Sequence, residues 1–169
     1  MAHVYVSVGS NLDRERNIAT ALQLLTERYG ELQQSSVYES AAVGFDSAAF
    51  YNLVVGFSTQ ETPRVIQTRL HAIEDQCGRQ RTATLSARTL DLDLLLYDDL
   101  VLTDGKLVLP REDINRYAFV LGPLAEIAGT VLHPVTAVSY AEMWAAFDDS
   151  EQPLTRIDWP PAASPFGDK

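Results

Sequence analysis

Residues 90–96 read Leu-Asp-Leu-Asp-Leu-Leu-Leu, and this alternation constrains the fold more than any other feature of the chain. On a strand, successive side chains point to opposite faces. A strand over residues 89–97 therefore puts Asp91 and Asp93 on one face. Leu90, Leu92, Leu94 and Leu96 fall on the other, toward a core. The two carboxylates then stand about 6–7 Å apart, twice the strand rise. That spacing suits magnesium ions shared with a polyphosphate, because magnesium keeps much of its water and takes few protein carboxylates. Two aspartates on an ordinary solvated strand face give the same pattern, so the metal reading draws its weight from its neighbours.

Those neighbours are cationic. Arg79, Arg81 and Arg88 precede the acids across residues 80–87, which show no apolar periodicity and read as a loop. A planar guanidinium matches two phosphate oxygens at once. The whole chain carries a formal net charge of −10, so this local gathering of cations is distinctive. Loop solubility and surface ion pairing are the competing explanation, and each such pair is worth little. The same net charge opposes a broad nucleic-acid surface. No G-x-x-x-x-G-K-[ST] loop occurs, and the H-R-D and D-F-G signatures of protein kinases are missing, so neither of those phosphate-handling designs applies.

The order of patterns along the 169 residues fits one domain. Val4, Val6 and Val8 mark a first strand over 3–8. Gly9-Ser10-Asn11-Leu12 ends it, and a helix follows over 13–29, stopped by Gly30. A strand over 34–39 leads to a loop of small residues over 40–46 around Gly44. A strand over 51–58 comes next. A second helix opens at Thr62-Pro63 and ends near Cys77-Gly78. After the strand at 89–97, Asp104-Gly105 predicts a hairpin. Helices are expected over 117–127, despite Pro123, and over 140–147. Residues 1–150 form the expected domain, and 151–169, with four prolines, read as a tail that is poorly ordered or lies on the surface. Short hairpin-like links between mixed strands and helices predict an α+β fold rather than a doubly wound sheet. Cys77 is the single cysteine, and the N-terminus lacks a signal-peptide pattern, so the expected compartment is the cytoplasm. No apolar run approaches a membrane span, and no membrane partner is expected.

Phe50, Tyr51 and Asn52 at the start of a strand, with Phe119 in a later segment, are candidates for a slot in which two aromatics and an amide hold a flat heterocycle. Each aromatic alone reads equally as core. Glu74 is either a helix-surface acid or a polar group near that slot. His3, His71 and His133 show no metal-ligand spacing and read as structural. Cys77 has no catalytic context, and Ser10 lies in no G-x-S-x-G elbow.

Taken in order, the pieces resemble the 6-hydroxymethyl-7,8-dihydropterin pyrophosphokinase family. The likeness runs roughly from Val4 to Val135. It rests on Gly9-Ser10-Asn11-Leu12; Tyr38-x-Ser40 leading to Gly44; Phe50-x-Asn52; Glu74 with Gly78-Arg79; Arg88-Thr89-Leu90-Asp91-Leu92-Asp93; and Phe119-Val120-Leu121-x-Pro123-Leu124-x-Glu126-Ile127. The resemblance implies a ferredoxin-like α+β core, mainly an antiparallel sheet with helices on both faces. It implies transfer of diphosphate from ATP to the pterin hydroxymethyl oxygen in folate biosynthesis, with release of AMP. Asp91 and Asp93 would hold two magnesium ions. Phe50 and Phe119 would sandwich the pterin, Asn52 would bond its edge, and the backbone from Ser40 to Val43 would meet it. Arg79, Arg81 and Arg88 would meet the triphosphate, with Arg79 and Arg88 also counted with Asp91 and Asp93 as catalytic. The expected partners are the two small substrates alone, and the expected state is a monomer.

The chain departs from the family pattern on the nucleotide side. Thr84-Leu85-Ser86-Ala87 stands where the family has arginine-tryptophan-glycine-proline, and the loop is one residue shorter. Arg111 follows Pro110 where the family has histidine, and Tyr117 replaces an arginine. Lys106, Arg111 and Arg116 are the cations expected to compensate. Two readings follow: an active pyrophosphokinase, or a slow or non-catalytic pterin-binding relative with an altered nucleotide site. An RNA-binding ferredoxin-like domain is the alternative from another class, opposed by the charge and by the missing aromatic K/R-G-F-G-F motif.

Overall fold

The computed structural model describes residues 1–40, 49–78 and 90–160. Its strands are β1 (Ala2–Ser10), β2 (Gln33–Gln34), β3 (Val37–Ser40), β4 (Phe50–Thr59), β5 (Asp91–Tyr97), β6 (Leu102–Asp104), β7 (Leu107–Leu109) and β8 (Thr155–Ile157). Its helices are α1 (Arg14–Tyr29), α2 (Pro63–Gln76), α3 (Asp113–Arg116), α4 (Ala118–Ala128) and α5 (Tyr140–Ala146). The main sheet runs β5-β1-β4-β3-β8, with β2 also on β4, and every pairing is antiparallel. With β1, α1, β3, β4, α2 and β5 in chain order, this is the ferredoxin-like arrangement.

Alternation sorts the side chains between two cores. Val4, Val6, Val8, Leu53, Val55, Phe57, Leu92 and Leu94 face α1 and α2, which contribute Ile18, Leu22, Leu25, Ile66, Leu70 and Ile73. Tyr5, Val54, Leu95 and Leu96 face the other way, against Ile114, Val120, Leu121, Leu124 and Tyr140 of α3, α4 and α5. Helices thus cover both faces of the sheet.

Three expectations change. Leu96 does not follow Leu90, Leu92 and Leu94. Tyr5 pairs with Leu96 and Val6 with Leu94, so Leu95 is the extra residue of a β-bulge, and the pattern beyond it reverses face. The strand expected over 34–39 is broken in two. Between the pieces, the Ser35 hydroxyl takes the Val54 amide at 2.9 Å, a side chain standing in for a ladder bond. At the C-terminal end, Thr155–Ile157 pairs with β3 and extends the sheet, so that part of the expected tail is bound to the domain.

Helix boundaries have local causes. Thr62 caps α2 through the Val65 amide, ahead of Pro63. Gly30 closes α1 at φ 85°, a conformation that glycine adopts freely, and its amide reaches the Thr26 carbonyl. Pro123 lies inside α4. It has no N–H, so the Phe119 carbonyl four residues earlier has no intrahelical donor there.

Candidate functional site

The face of the sheet that meets α4 carries the polar group. Gly9 pairs with Asn52 on one side and Asp91 on the other. Ser7 pairs with Asp93, Tyr38 with Asn52, and Ser40 with Phe50. Directly paired residues of an antiparallel sheet project to the same side. Ser40, Phe50, Asn52, Gly9, Asp91 and Asp93 therefore share one face at one end of the sheet. Asn52 and Asp91 stand two strand spacings apart, about 9–10 Å.

Asn52 is 5% exposed, and its amide donates to the Ser40 hydroxyl at 2.8 Å. That bond turns the amide oxygen toward β1. A Cβ on Gly9 would stand 2.9 Å from this oxygen and 3.8 Å from the Phe50 ring. Glycine thus leaves room for the amide and keeps the floor beside Phe50 flat. The loop after β1 is pinned at Leu12, whose carbonyl accepts the Ser10 hydroxyl at 3.0 Å and the Asn17 amide at 2.7 Å.

Asp91 and Asp93 are both half-buried. Arg111 lies 3.5 Å from Asp93 through one terminal nitrogen and 3.3 Å from Asp113 through Nε. Its backbone amide bonds the Leu95 carbonyl at the bulge, which fixes the arginine beside β5. Glu74, buried in the last turn of α2, accepts the Leu92 amide at 2.8 Å. It is neither a surface acid nor part of the Asn52 group; it holds the strand between the two aspartates.

Phe119 begins α4, the helix on this face, and is half-buried. Tyr117 stacks on it, with centroids 5.0 Å apart and planes at 21°. Helix α4 is clamped to β3 by Glu126, whose carboxylate accepts the Ser36 amide at 3.0 Å, the Ser36 hydroxyl at 2.7 Å and the Tyr38 hydroxyl at 2.8 Å. Burial, then the bond to Glu126, pushes the Tyr38 phenol above its ordinary value, so it remains a donor. Lys106 is exposed at the turn of the β6–β7 hairpin. Arg116 is exposed and pairs with Glu112 at 3.3 Å. Val43, Arg79, Arg81 and Arg88 lie outside the described residues.

Three participants escaped the sequence reading. Gly9 was visible as a strand breaker and as part of the Gly9-Ser10-Asn11-Leu12 motif, but with no role in shaping the site. Asp113 pairs with Arg111, two residues before it, a spacing with no periodic signal. Arg14 stacks 3.8 Å over Tyr51, pairs with Glu39 at 2.9 Å and donates to the Ala49 carbonyl at 2.9 Å. It thereby braces the ends of β3 and β4 from the opposite face. The histidines hold to expectation at His133, which is buried and uses Nδ1 to accept the Val135 amide at 3.1 Å inside its own turn.

The family model of 7,8-dihydro-6-hydroxymethylpterin-pyrophosphokinase (HPPK) matches residues 5–129. A 2-amino-4-hydroxy-6-hydroxymethyldihydropteridine pyrophosphokinase of Aquifex aeolicus is 35% identical over 138 residues, covering 80% of this chain and 86% of its own. The Bacillus subtilis protein of the same name is 34% identical, with coverages of 79% and 82%. The folic acid synthesis protein fol1 of Pneumocystis carinii is 33% identical over 151 residues, and the chain spans only 20% of its length. Among solved structures, a Plasmodium falciparum HPPK-DHPS triple mutant aligns with a TM-score of 0.71 at 13% identity. That alignment covers 85% of this chain and 41% of the other, and it supports the fold alone.

Proposed function

The chain belongs to the 7,8-dihydro-6-hydroxymethylpterin-pyrophosphokinase family, and we propose that it transfers diphosphate from ATP to 6-hydroxymethyl-7,8-dihydropterin in folate biosynthesis, releasing AMP. The observation that carries this reading is the register that sets Asn52 and Asp91 on either side of Gly9. It puts an amide-edged aromatic floor and a pair of carboxylates on one continuous sheet face.

In this reading the pterin lies between Phe50 and Phe119. The Asn52 oxygen accepts from the N–H edge of the heterocycle, and the backbone from Ser40 to Val43 meets its rim. Asp91 and Asp93 suit two magnesium ions. They are half-exposed, share one strand face, and leave further positions to phosphate and water. Metal bound there supplies neutralisation of the phosphate charge. Arg79, Arg81 and Arg88 take the triphosphate, with Arg111, Arg116 and Lys106 in support. Each charge-assisted contact contributes about 1.5–3 kcal/mol.

The chemistry asks little of protein acids or bases. The hydroxymethyl oxygen attacks the β-phosphorus, the bond to the α–β bridging oxygen breaks, and AMP departs in line. The hydroxyl proton leaves to water or phosphate. The protein positions the two substrates and balances charge. Asp91, Asp93, Arg79 and Arg88 are the groups assigned to that task. Residues 1–150 supply the whole site as one domain, to whose sheet Thr155–Ile157 adds an edge strand. The protein works as a cytoplasmic monomer on these two small substrates, with no nucleic-acid or membrane partner.

The deciding experiment supplies ATP, magnesium and the reduced pterin alcohol, and measures AMP. Pterin-dependent AMP formation is the expected result. A protein that binds the pterin with ordinary affinity yet forms no AMP belongs to the non-catalytic alternative.

A further inference from the structure

Strand β5 ends the sheet order, so alternate backbone amides of this strand point away from β1, with no strand among the described residues to receive them. One of these belongs to Leu92, the residue between Asp91 and Asp93. Its amide meets the Glu74 carboxylate at 2.8 Å. Glu74 is 4% exposed. It sits in the last turn of α2, a turn with no basic residue, and the negative end of a helix disfavours an acid. By accepting the Leu92 amide from the last turn of α2, this buried carboxylate ties the helix to β5.

We propose that Glu74 is a positioning residue for the carboxylate pair. It anchors the outer edge of β5 at the one residue from which both aspartates take their orientation. β1 holds the inner edge through the pairs Gly9–Asp91 and Ser7–Asp93. Pinned from both sides, the strand keeps its pleat at its first residues, where strands fray most readily. A slip of one residue would turn both aspartates into the core and their leucine neighbours out. A charged acceptor suits the task because it bonds an amide more strongly than a neutral one. Helix α2 thus supports the metal side of the site through the Leu92 hydrogen bond. The proposal rests on the reading that Asp91 and Asp93 hold the metal–triphosphate complex.

The test compares Glu74→Asp and Glu74→Gln with the unaltered protein. Aspartate keeps the charge but falls one methylene short of the Leu92 amide, while glutamine keeps the reach and offers a neutral oxygen. Three quantities are measured: exchange of the Leu92 amide with deuterium, manganese binding in the presence of a non-hydrolysable ATP analogue, and calorimetric pterin affinity. Glu74→Asp should raise Leu92 exchange at least tenfold and weaken manganese binding about tenfold, with pterin affinity within twofold. Glu74→Gln should recover most of both losses. Manganese binding unchanged in Glu74→Asp while Leu92 exchange rises overturns the proposal, and so does an equal loss of pterin affinity, which marks a general loosening. Should Glu74→Asp fail to fold, Glu74→Gln alone decides: its manganese affinity must fall two- to fivefold with its Leu92 exchange raised, and unaltered values overturn the idea. Asp91→Asn and Asp93→Asn in the same manganese measurement separate the two layers. If they bind metal normally, the carboxylate-pair reading falls and takes this proposal with it; if they lose metal while Glu74→Asp does not, only the proposal falls.

Discussion

Replacing Gly9 with alanine adds one methyl group at the centre of the site. The new Cβ would lie 2.9 Å from the Asn52 amide oxygen, whereas an ordinary contact needs about 3.5 Å. The Phe50 ring, at 3.8 Å, needs no adjustment. Asn52 must therefore withdraw by about half an ångström, and it is 5% exposed with its nitrogen held by Ser40. Withdrawal weakens the Ser40 bond and misplaces the oxygen offered to the pterin. Two neutral hydrogen bonds at about 0.5–1.5 kcal/mol each give a loss of about 1–3 kcal/mol. Pterin affinity should fall roughly 5- to 150-fold. Calorimetry with the pterin and, separately, with an ATP analogue measures this, and nucleotide affinity should stay within about twofold. The fold should persist, since alanine suits a strand at least as well as glycine. A double-mutant cycle supplies the refutation. In an Asn52→Ala background the extra methyl has no amide to displace, so Gly9→Ala should cost almost nothing. An equal loss in both backgrounds shows that the methyl acts on the slot or the backbone directly, and the reasoning is wrong.

Asp91→Asn and Asp93→Asn should each lower single-turnover rate by about 10²–10³, with melting temperature little changed because both side chains are half-exposed; a near-normal rate at saturating magnesium refutes the metal pair. Phe119→Ala should cost about 1–3 kcal/mol of pterin affinity, by analogy with base–aromatic stacking, and calorimetry showing no change rejects the sandwich. Burial holds His133 below its ordinary 6.5, so the folded state resists protonation there. Its stabilising contribution is complete above that value and is lost as pH falls through it toward the folded pKa. Urea midpoints from about pH 7.5 to 5 should therefore decline less steeply in His133→Gln, and an unchanged slope excludes this histidine. Tyr117→Arg should tighten ATP binding, yet it also removes the ring stacked on Phe119, so pterin affinity should fall slightly; unaltered binding of both ligands shows that the position serves neither.

Most of this architecture is legible because its causes are local. The alternation of aspartate and leucine fixes β5, Thr62-Pro63 fixes the start of α2, and Asp104-Gly105 fixes the hairpin. What escapes depends on partners distant in sequence. Leu96 changes face because its register is set against Tyr5 across a bulge, and nothing in Leu94-Leu95-Leu96 announces which residue is the extra one. Thr155–Ile157 is too short to show periodicity and becomes a strand because β3 has an open edge. Glu74 reads as one more polar residue of an amphipathic helix until the fold brings the Leu92 amide to it. The candidate site divides the same way. Phe50, Asn52, Asp91 and Asp93 could be picked out from residue type and spacing. Gly9 and Asp113 matter only through what they leave room for or hold in place.

Of the three departures from the family pattern, the loop at Thr84-Leu85-Ser86-Ala87 lies outside the described residues, while Arg111 and Tyr117 fall on different sides of the site. Tyr117, which stands in place of an arginine, stacks on Phe119 and so joins the aromatic side rather than leaving a gap on the nucleotide side. Arg111, which stands in place of a histidine, is drawn to the carboxylates of Asp93 and Asp113. Asp93 and Asp113 approach it at 3.5 and 3.3 Å through two of its nitrogens. A guanidinium has five N–H donors, so donors remain for a phosphate while the acids orient the group. Histidine presents at most two donors, and in its neutral form only one. Arginine also stays charged at every working pH. Among the described residues the chain thus gives up one cation at position 117 and gains a permanent, acid-oriented one at 111. Positive charge moves toward Asp93, to which the proposed function assigns the metal and the phosphates, and the aromatic side becomes larger. A nucleotide site rearranged in this way shifts its cations toward the carboxylates, and that is the arrangement expected of a working phosphoryl-transfer site rather than of one reduced to holding a pterin.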